Sequence, residues 1–177
     1  LDRSELETAL EFKLGPKNLL ITFHSVTLEN ESSAMQMTEL LAALETLENT
    51  HLIFTMPNAD TGGRVLIEMI DQFVAKHPNA RSYTSLGQLR YLSCVKHVDG
   101  VVGNSSSGLI EVPSFAKGTI NIGDRQEGRL KADSVVDCDP DRKSITKALQ
   151  YLYSDTFLKK LQYVRNHYGE GGASKKI

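Results

Sequence analysis

The sequence predicts an α/β fold of the Rossmann-like type, a parallel sheet with helices on both faces. Three observations carry this. Six short apolar runs rich in Ile, Val, Leu and Phe recur along the 177 residues, as expected for strands covered on both sides. Between them lie longer segments whose apolar residues repeat every three or four positions, the stripe of an amphipathic helix. Their alternation is that of βαβ units, which give a parallel sheet with right-handed crossovers.

Taken in order, Arg3 to Phe12 reads as a helix ended by Gly15-Pro16. The first strand is Asn18 to His24. Met37, Leu40, Leu41, Leu44 and Leu47 form a helical stripe before a second strand, His51 to Met56. Val65, Leu66, Met69, Ile70, Phe73 and Val74 form the next stripe, and Ala80 to Thr84 the third strand. Gly100 to Val102, Thr119 to Ile122 and Ser134 to Val136 complete the strands. Two stripes close the chain: Ile145, Ala148, Leu149 and Leu152, then Phe157, Leu158, Leu161 and Val164. Pro113 would interrupt a helix interior, so the helix after Ser107 is short or kinked. No repeat or low-complexity tract appears before Gly169-Glu170-Gly171-Gly172-Ala173-Ser174.

A chain of this length suits one domain with a sizeable core. The formal net charge is -2, so there is no basic footprint for nucleic acid or an anionic membrane. No apolar run approaches the roughly 20 residues that span a bilayer. The opening Leu1-Asp2-Arg3-Ser4-Glu5 is too charged for a signal peptide. It also lacks an initiator methionine, so the chain reads as a fragment. Cys94 and Cys138 are far apart in apolar surroundings and read as reduced thiols of a cytoplasmic protein. No cysteine or histidine spacing calls for a metal.

In such sheets, ligands bind beyond the carboxyl ends of the strands, and there the polar residues gather. The first strand runs into Phe23-His24-Ser25 and the second into Pro57-Asn58-Ala59-Asp60. The fourth runs into Asn104-Ser105-Ser106-Ser107-Gly108, and the fifth into Gly123-Asp124-Arg125-Gln126-Glu127-Gly128-Arg129. Three serines at a helix start offer hydroxyls and unpaired N–H groups where the helix dipole is positive, which suits a phosphate. Glu111 follows within a turn or two and could accept from the two hydroxyls of a ribose. Ser105 or Ser106 could equally be an ordinary N-cap. His24 could bond a phosphate or move a proton, and the fork of Arg125 suits phosphate oxygens. Asn58 and Asp60 also fit a turn and N-cap. His51, His77 and His97 read as structural.

Together these loops resemble the UDP-N-acetylglucosamine 2-epimerases. The resemblance rests on Thr22-Phe23-His24 with Glu29-Asn30, Pro57-Asn58-Ala59-Asp60, Gly103-Asn104-Ser105-Ser106-Ser107-Gly108 with Glu111, and Asn121 to Arg129. It extends to Tyr168-Gly169-Glu170-Gly171-Gly172-Ala173-Ser174 and covers the chain from about Phe12 onward. It implies the C-terminal half of a GT-B-like enzyme of two Rossmann-like domains, which binds UDP-N-acetylglucosamine or UDP between them and needs no cofactor. The other domain would be the missing N-terminal part of the same protein, a homo-oligomer at full length. Ser105 and Ser106 would then hold the phosphates, Glu111 the ribose, Arg125 and His24 the diphosphate end, and Asn58 the pocket wall. His24 would be the catalytic group of this half.

The non-hydrolysing branch usually has His-Arg-Arg-Glu-Asn where this chain has His24-Ser25-Val26-Thr27-Leu28-Glu29-Asn30, and Ser-Gly-Gly where it has Ser105-Ser106-Ser107. Both differences point to the hydrolysing branch, which yields N-acetylmannosamine and UDP for sialic acid synthesis. Ser25 and Gly118 stand where the family commonly has proline. Three other readings remain open at this point: the non-hydrolysing reaction, the donor-binding domain of a GT-B glycosyltransferase, and a non-catalytic nucleotide-sugar sensor or phosphoacceptor domain. A phosphoacceptor would need clustered aspartates that these strand ends lack.

Overall fold

Backbone hydrogen bonds join the strands side by side, and the apolar residues on both faces of the central strands draw helices onto both sides of the sheet. In the computed structural model, which describes residues 1–25, 30–58 and 61–169, six strands form one sheet with every neighbouring pair parallel. They are β1 (Lys17–Thr22), β2 (Thr50–Thr55), β3 (Ala80–Tyr83), β4 (Gly100–Gly103), β5 (Gly118–Ile122) and β6 (Val135–Cys138), in the order β3-β2-β1-β4-β5-β6. That is the doubly wound order, in which the chain reverses direction across the sheet between β1 and β4 and leaves a crevice there.

Alternation along each strand sends side chains into two cores. Leu19, Ile21, Leu52, Phe54 and Val102 face helices α2 (Asn30–Leu44), α3 (Thr61–Lys76) and α6 (Arg142–Leu152), with α7 (Asp155–Leu161) adding Phe157 and Leu161. Leu20, Ile53 and Val101 face the other layer, α1 (Arg3–Leu10) and α4 (Gly87–His97), together with Val112. Each fully buried Leu, Ile or Phe contributes about 1.5–3 kcal/mol relative to exposure.

The predicted strands are all present, with shifted ends. β1 stops at Thr22, so His24 lies just beyond it, and β6 runs two residues further than expected, to Cys138. The expected stop of α1 at Gly15-Pro16 is corrected: Glu11 already turns left-handed at φ 50. Helix α4 has no counterpart in the periodicity. Leu89 points outward at 65% exposure, and the buried set Ser93, Cys94 and Val95 is consecutive, so no stripe repeats every three or four residues. The expected short helix is there. α5 spans only Ser107–Ile110 and passes into a 3-10 turn, Val112–Phe115, with Pro113 at its start.

Two glycines hold the serine turn close to the sheet. Gly103 has φ +146, and a Cβ there would lie 2.0 Å from the Thr22 carbonyl oxygen. A Cβ on Gly108 would lie 2.5 Å from Thr119 Cγ2, and the Thr119 hydroxyl donates to the Gly108 carbonyl at 2.7 Å.

Candidate functional site

The strand ends are level: Thr22 pairs with Thr55 on one side and Gly103 on the other, and Gly103 with Asn121. The loops that follow therefore leave the sheet at one height, across the crevice between β1 and β4. One residue joins them. Buried Asn104 accepts the His24 N–H on Oδ1 at 2.8 Å and donates Nδ2 to the His24 carbonyl at 2.8 Å. Its own N–H donates to the Thr22 carbonyl at 3.2 Å. Its carbonyl accepts from Arg125 Nη1 at 3.0 Å and from Gln126 Nε2 at 2.8 Å. A single side chain and its peptide thus tie the ends of β1, β4 and β5 together.

Beside this staple is a cavity of about 380 Å³ whose lining includes Thr22, His24, Ser105, Ser107, Glu111 and Tyr91. Another wall is the β3–α4 loop with the first residues of α4, Thr84 to Gln88. His24, Ser105 and Glu111, picked out by sequence, share this cavity. Arg125 reaches the same turn through the Asn104 carbonyl without lining the cavity. Ser106 sits in the turn but off the cavity wall, and its carbonyl accepts from Leu109 and Ile110. Asn58 is exposed and does not line the cavity. Asp60, and Glu29 of the resemblance motif, lie outside the described residues, as do Glu170 to Ser174; the side chain of Asn30 does too.

The N-cap alternative for Ser106 does not hold: its backbone is helical and its side chain makes no capping bond. The dipole argument is corrected as well. A helix of four residues sums few peptide dipoles, so individual donors must carry any anion affinity. Such donors exist. Among the described residues the N–H groups of Ser105 and Ser106 have no acceptor, while the Ser107 N–H makes only a long 3.4 Å contact with Ser105 Oγ. Half-buried Tyr91 donates its hydroxyl to Ser107 Oγ at 2.6 Å. Burial pushes the Tyr91 phenol up to about 12, against the Ser107 bond and with help from nearby Glu111, so it stays a neutral donor near pH 7.

Elsewhere, polar groups are absorbed by the chain. The Nδ1 atoms of His51 and His77 contact the carbonyls of Lys13 and Phe73 at 2.8 and 2.7 Å, and His97 Nε2 contacts Leu1 at 3.1 Å. Cys94 and Cys138 are free thiols pushed up to about 12 by burial, too high for a thiolate nucleophile at neutral pH. Among the described residues no group of three or more His, Cys, Asp and Glu could hold a metal ion, and no helix is long and apolar enough to cross a membrane.

A larger cavity, about 530 Å³, opens beside β6 and is lined by Asp124, Glu127, Asp137 and Asp139 with Lys131. Its lysine is already held by Asp137, with both carboxylate oxygens at 2.9 Å. That wall repels an anion, so chemistry favours the smaller cavity. Sequence reading missed Asn104 as a staple, Tyr91, Ser107 as a lining residue, and the Thr84 to Gln88 wall. Asn104 stood inside a recognised motif, but its partner is 80 residues away.

Comparison with known proteins follows the same line. A family model described as UDP-N-acetylglucosamine 2-epimerase matches residues 2–177. A GDP/UDP-N,N'-diacetylbacillosamine 2-epimerase (hydrolyzing) of Campylobacter jejuni is 41% identical over 77% of this chain and 36% of its own length. Polysialic acid biosynthesis protein P7 of Escherichia coli is 38% identical over 90% of the chain and 41% of its own. Among solved structures, the UDP-GlcNAc 2-epimerase of Neisseria meningitidis bound to UDP-GlcNAc superposes with a TM-score of 0.73 at 17% identity, over 98% of this chain and 46% of that one. The chain spans about two fifths of the curated relatives it matches.

Proposed function

The chain belongs to the UDP-N-acetylglucosamine 2-epimerase family, and from that premise we propose that it is the UDP-binding half of a hydrolysing 2-epimerase. The intact cytoplasmic protein would convert UDP-N-acetylglucosamine, or a closely related UDP-acetamido sugar, to UDP and the free 2-epimer. The observation that carries this is the cavity at the β1/β4 crevice, where His24, Ser105 and Glu111 meet while Arg125 is anchored on the same turn.

The residues divide by chemistry. The serine turn offers N–H and O–H donors to the diphosphate, with Arg125 and His24 at its far end. Glu111 accepts from the ribose hydroxyls. The base then lies against Thr84 to Gln88. In the reaction a base removes the C2 proton, the C1–O bond breaks, and UDP departs with that electron pair, leaving a glycal. Water adds its hydroxyl to C1 while a proton returns to the opposite face of C2. Charge grows on the departing diphosphate, so donors already in place lower the barrier. The groups that act on the sugar belong to the part of the protein outside this chain. Names of relatives that carry the word hydrolyzing support water, rather than UDP, as the second reactant.

Calorimetry with UDP tests the site. The chain should bind UDP, and Glu111→Ala should weaken binding about 10-fold or more, the effect of losing hydrogen bonds to a charged acceptor. Equal affinities for the two proteins would overturn the assignment.

A further inference from the structure

Ser107, the third serine of the turn, lines the cavity where Ser106 does not. Its oxygen receives the Tyr91 hydroxyl proton at 2.6 Å. The direction follows from acidity, since a phenol is the better donor and an alkanol oxygen the better acceptor. Among the described residues Ser107 Oγ has this one partner. Its own proton is therefore unspent, on a hydroxyl that an incoming hydrogen bond has polarised. Bonds in such a chain strengthen one another. A donor with no acceptor among the described residues, facing a cavity, suits an anionic oxygen.

We propose that Tyr91 and Ser107 form a relay of two hydroxyls in which Ser107 donates to a phosphate oxygen of the bound nucleoside diphosphate. Tyr91, reaching across from α4, is the positioning residue that orients and polarises it. The inference rests on the UDP reading of the cavity and extends it to a specific phosphate donor. It also accounts for the placement of α4. Gly87, at φ +60, turns the chain into a helix whose second turn presents Tyr91 to α5.

The test is the affinity of UDP and of uridine for wild type, Ser107→Ala, Tyr91→Phe and the double variant. Phenylalanine keeps the ring and its packing, and alanine at 107 suits a helix start inside an existing turn, so melting temperatures should stay close to wild type. UDP binding should weaken about 10-fold in Ser107→Ala and about three- to fivefold in Tyr91→Phe. The double variant should be no weaker than Ser107→Ala, because Tyr91 acts only through Ser107. Uridine, which has no phosphate, should bind all four alike. A role in general packing would instead lower uridine and UDP together, and independent contacts would make the two losses multiply; either result overturns the relay. So do variants that bind UDP like wild type, and in that case the UDP reading survives. Wild type binding neither ligand would remove both.

Discussion

The two edges of the sheet use the same residue types for opposite ends. At the amino edge, buried Asn18 accepts the Gly15 N–H at 2.8 Å and donates to the Gly15 carbonyl at 3.0 Å, closing a local turn. At the carboxyl edge Asn104 makes the same pair of bonds, but to His24, 80 residues away. His51 likewise settles on a backbone carbonyl, whereas His24 lines a cavity. Four buried polar side-chain atoms lack a partner among the described residues. Thr22 Oγ1, Asn121 Oδ1 and Gln126 Oε1 lie toward the carboxyl edge, and Ser134 Oγ lies at the amino end of β6. An amide that closes its own loop is architecture; one that gathers three strand ends prepares a site.

The largest expected effect breaks the carboxyl edge outright. Gly103→Ala forces a side chain into φ +146 and a Cβ to 2.0 Å from the Thr22 carbonyl. Strain and overpacking together should cost roughly 4 kcal/mol, seen as a large fall in thermal midpoint or a failure to fold. A near wild-type midpoint would show that β1 and β4 can part without harm, contrary to this account.

A paired substitution sharpens the contrast. Asn104→Ala and Asn18→Ala each leave a part-buried N–H and a part-buried carbonyl short of partners, and each should lose about 1–3 kcal/mol in denaturant unfolding. Only Asn104→Ala should also weaken UDP binding, by an order of magnitude, since His24 loses the side chain that holds its backbone at the cavity. Equal loss of UDP affinity in both would mean the edges do not differ in function.

The smallest effect lies away from both edges. Asp141 caps α6 by accepting the Ser144 N–H at 3.0 Å, and that backbone bond, with Ser144's side chain adding, holds its carboxyl below the ordinary 3.8. Its contribution is present above 3.8 and is lost as pH falls through the lowered value. Asp141→Ala should therefore melt slightly earlier at pH 7, with the gap closing in strong acid, and UDP affinity should not change. A gap that widened toward low pH would reverse the assigned sign.

The strand-helix alternation was legible because period and burial coincide. β1, β2 and the stripes of α2, α3 and α6 repeat as isolated elements would. Helix α4 was not legible, because its buried residues are consecutive and Leu89 faces outward. The site was half legible. His24, Ser105 and Glu111 sit at strand or turn ends and could be read locally, and they share a cavity. Asn104 and Tyr91 act through partners distant in sequence, and no local pattern announces a bond that crosses a fold. Proximity to a strand end placed Asn58 in the site, yet it is exposed and off the cavity wall.

The most direct test of the central claim is an amide NMR titration of this chain with UDP, because two cavities on the same edge compete for the ligand. Shifts should concentrate at His24, Ser105 to Ser107, Glu111 and Arg125, while Lys131 and Asp139 beside β6 stay still. Shifts centred on Lys131 and Asp139, or none at the serine turn at saturating UDP, would contradict it.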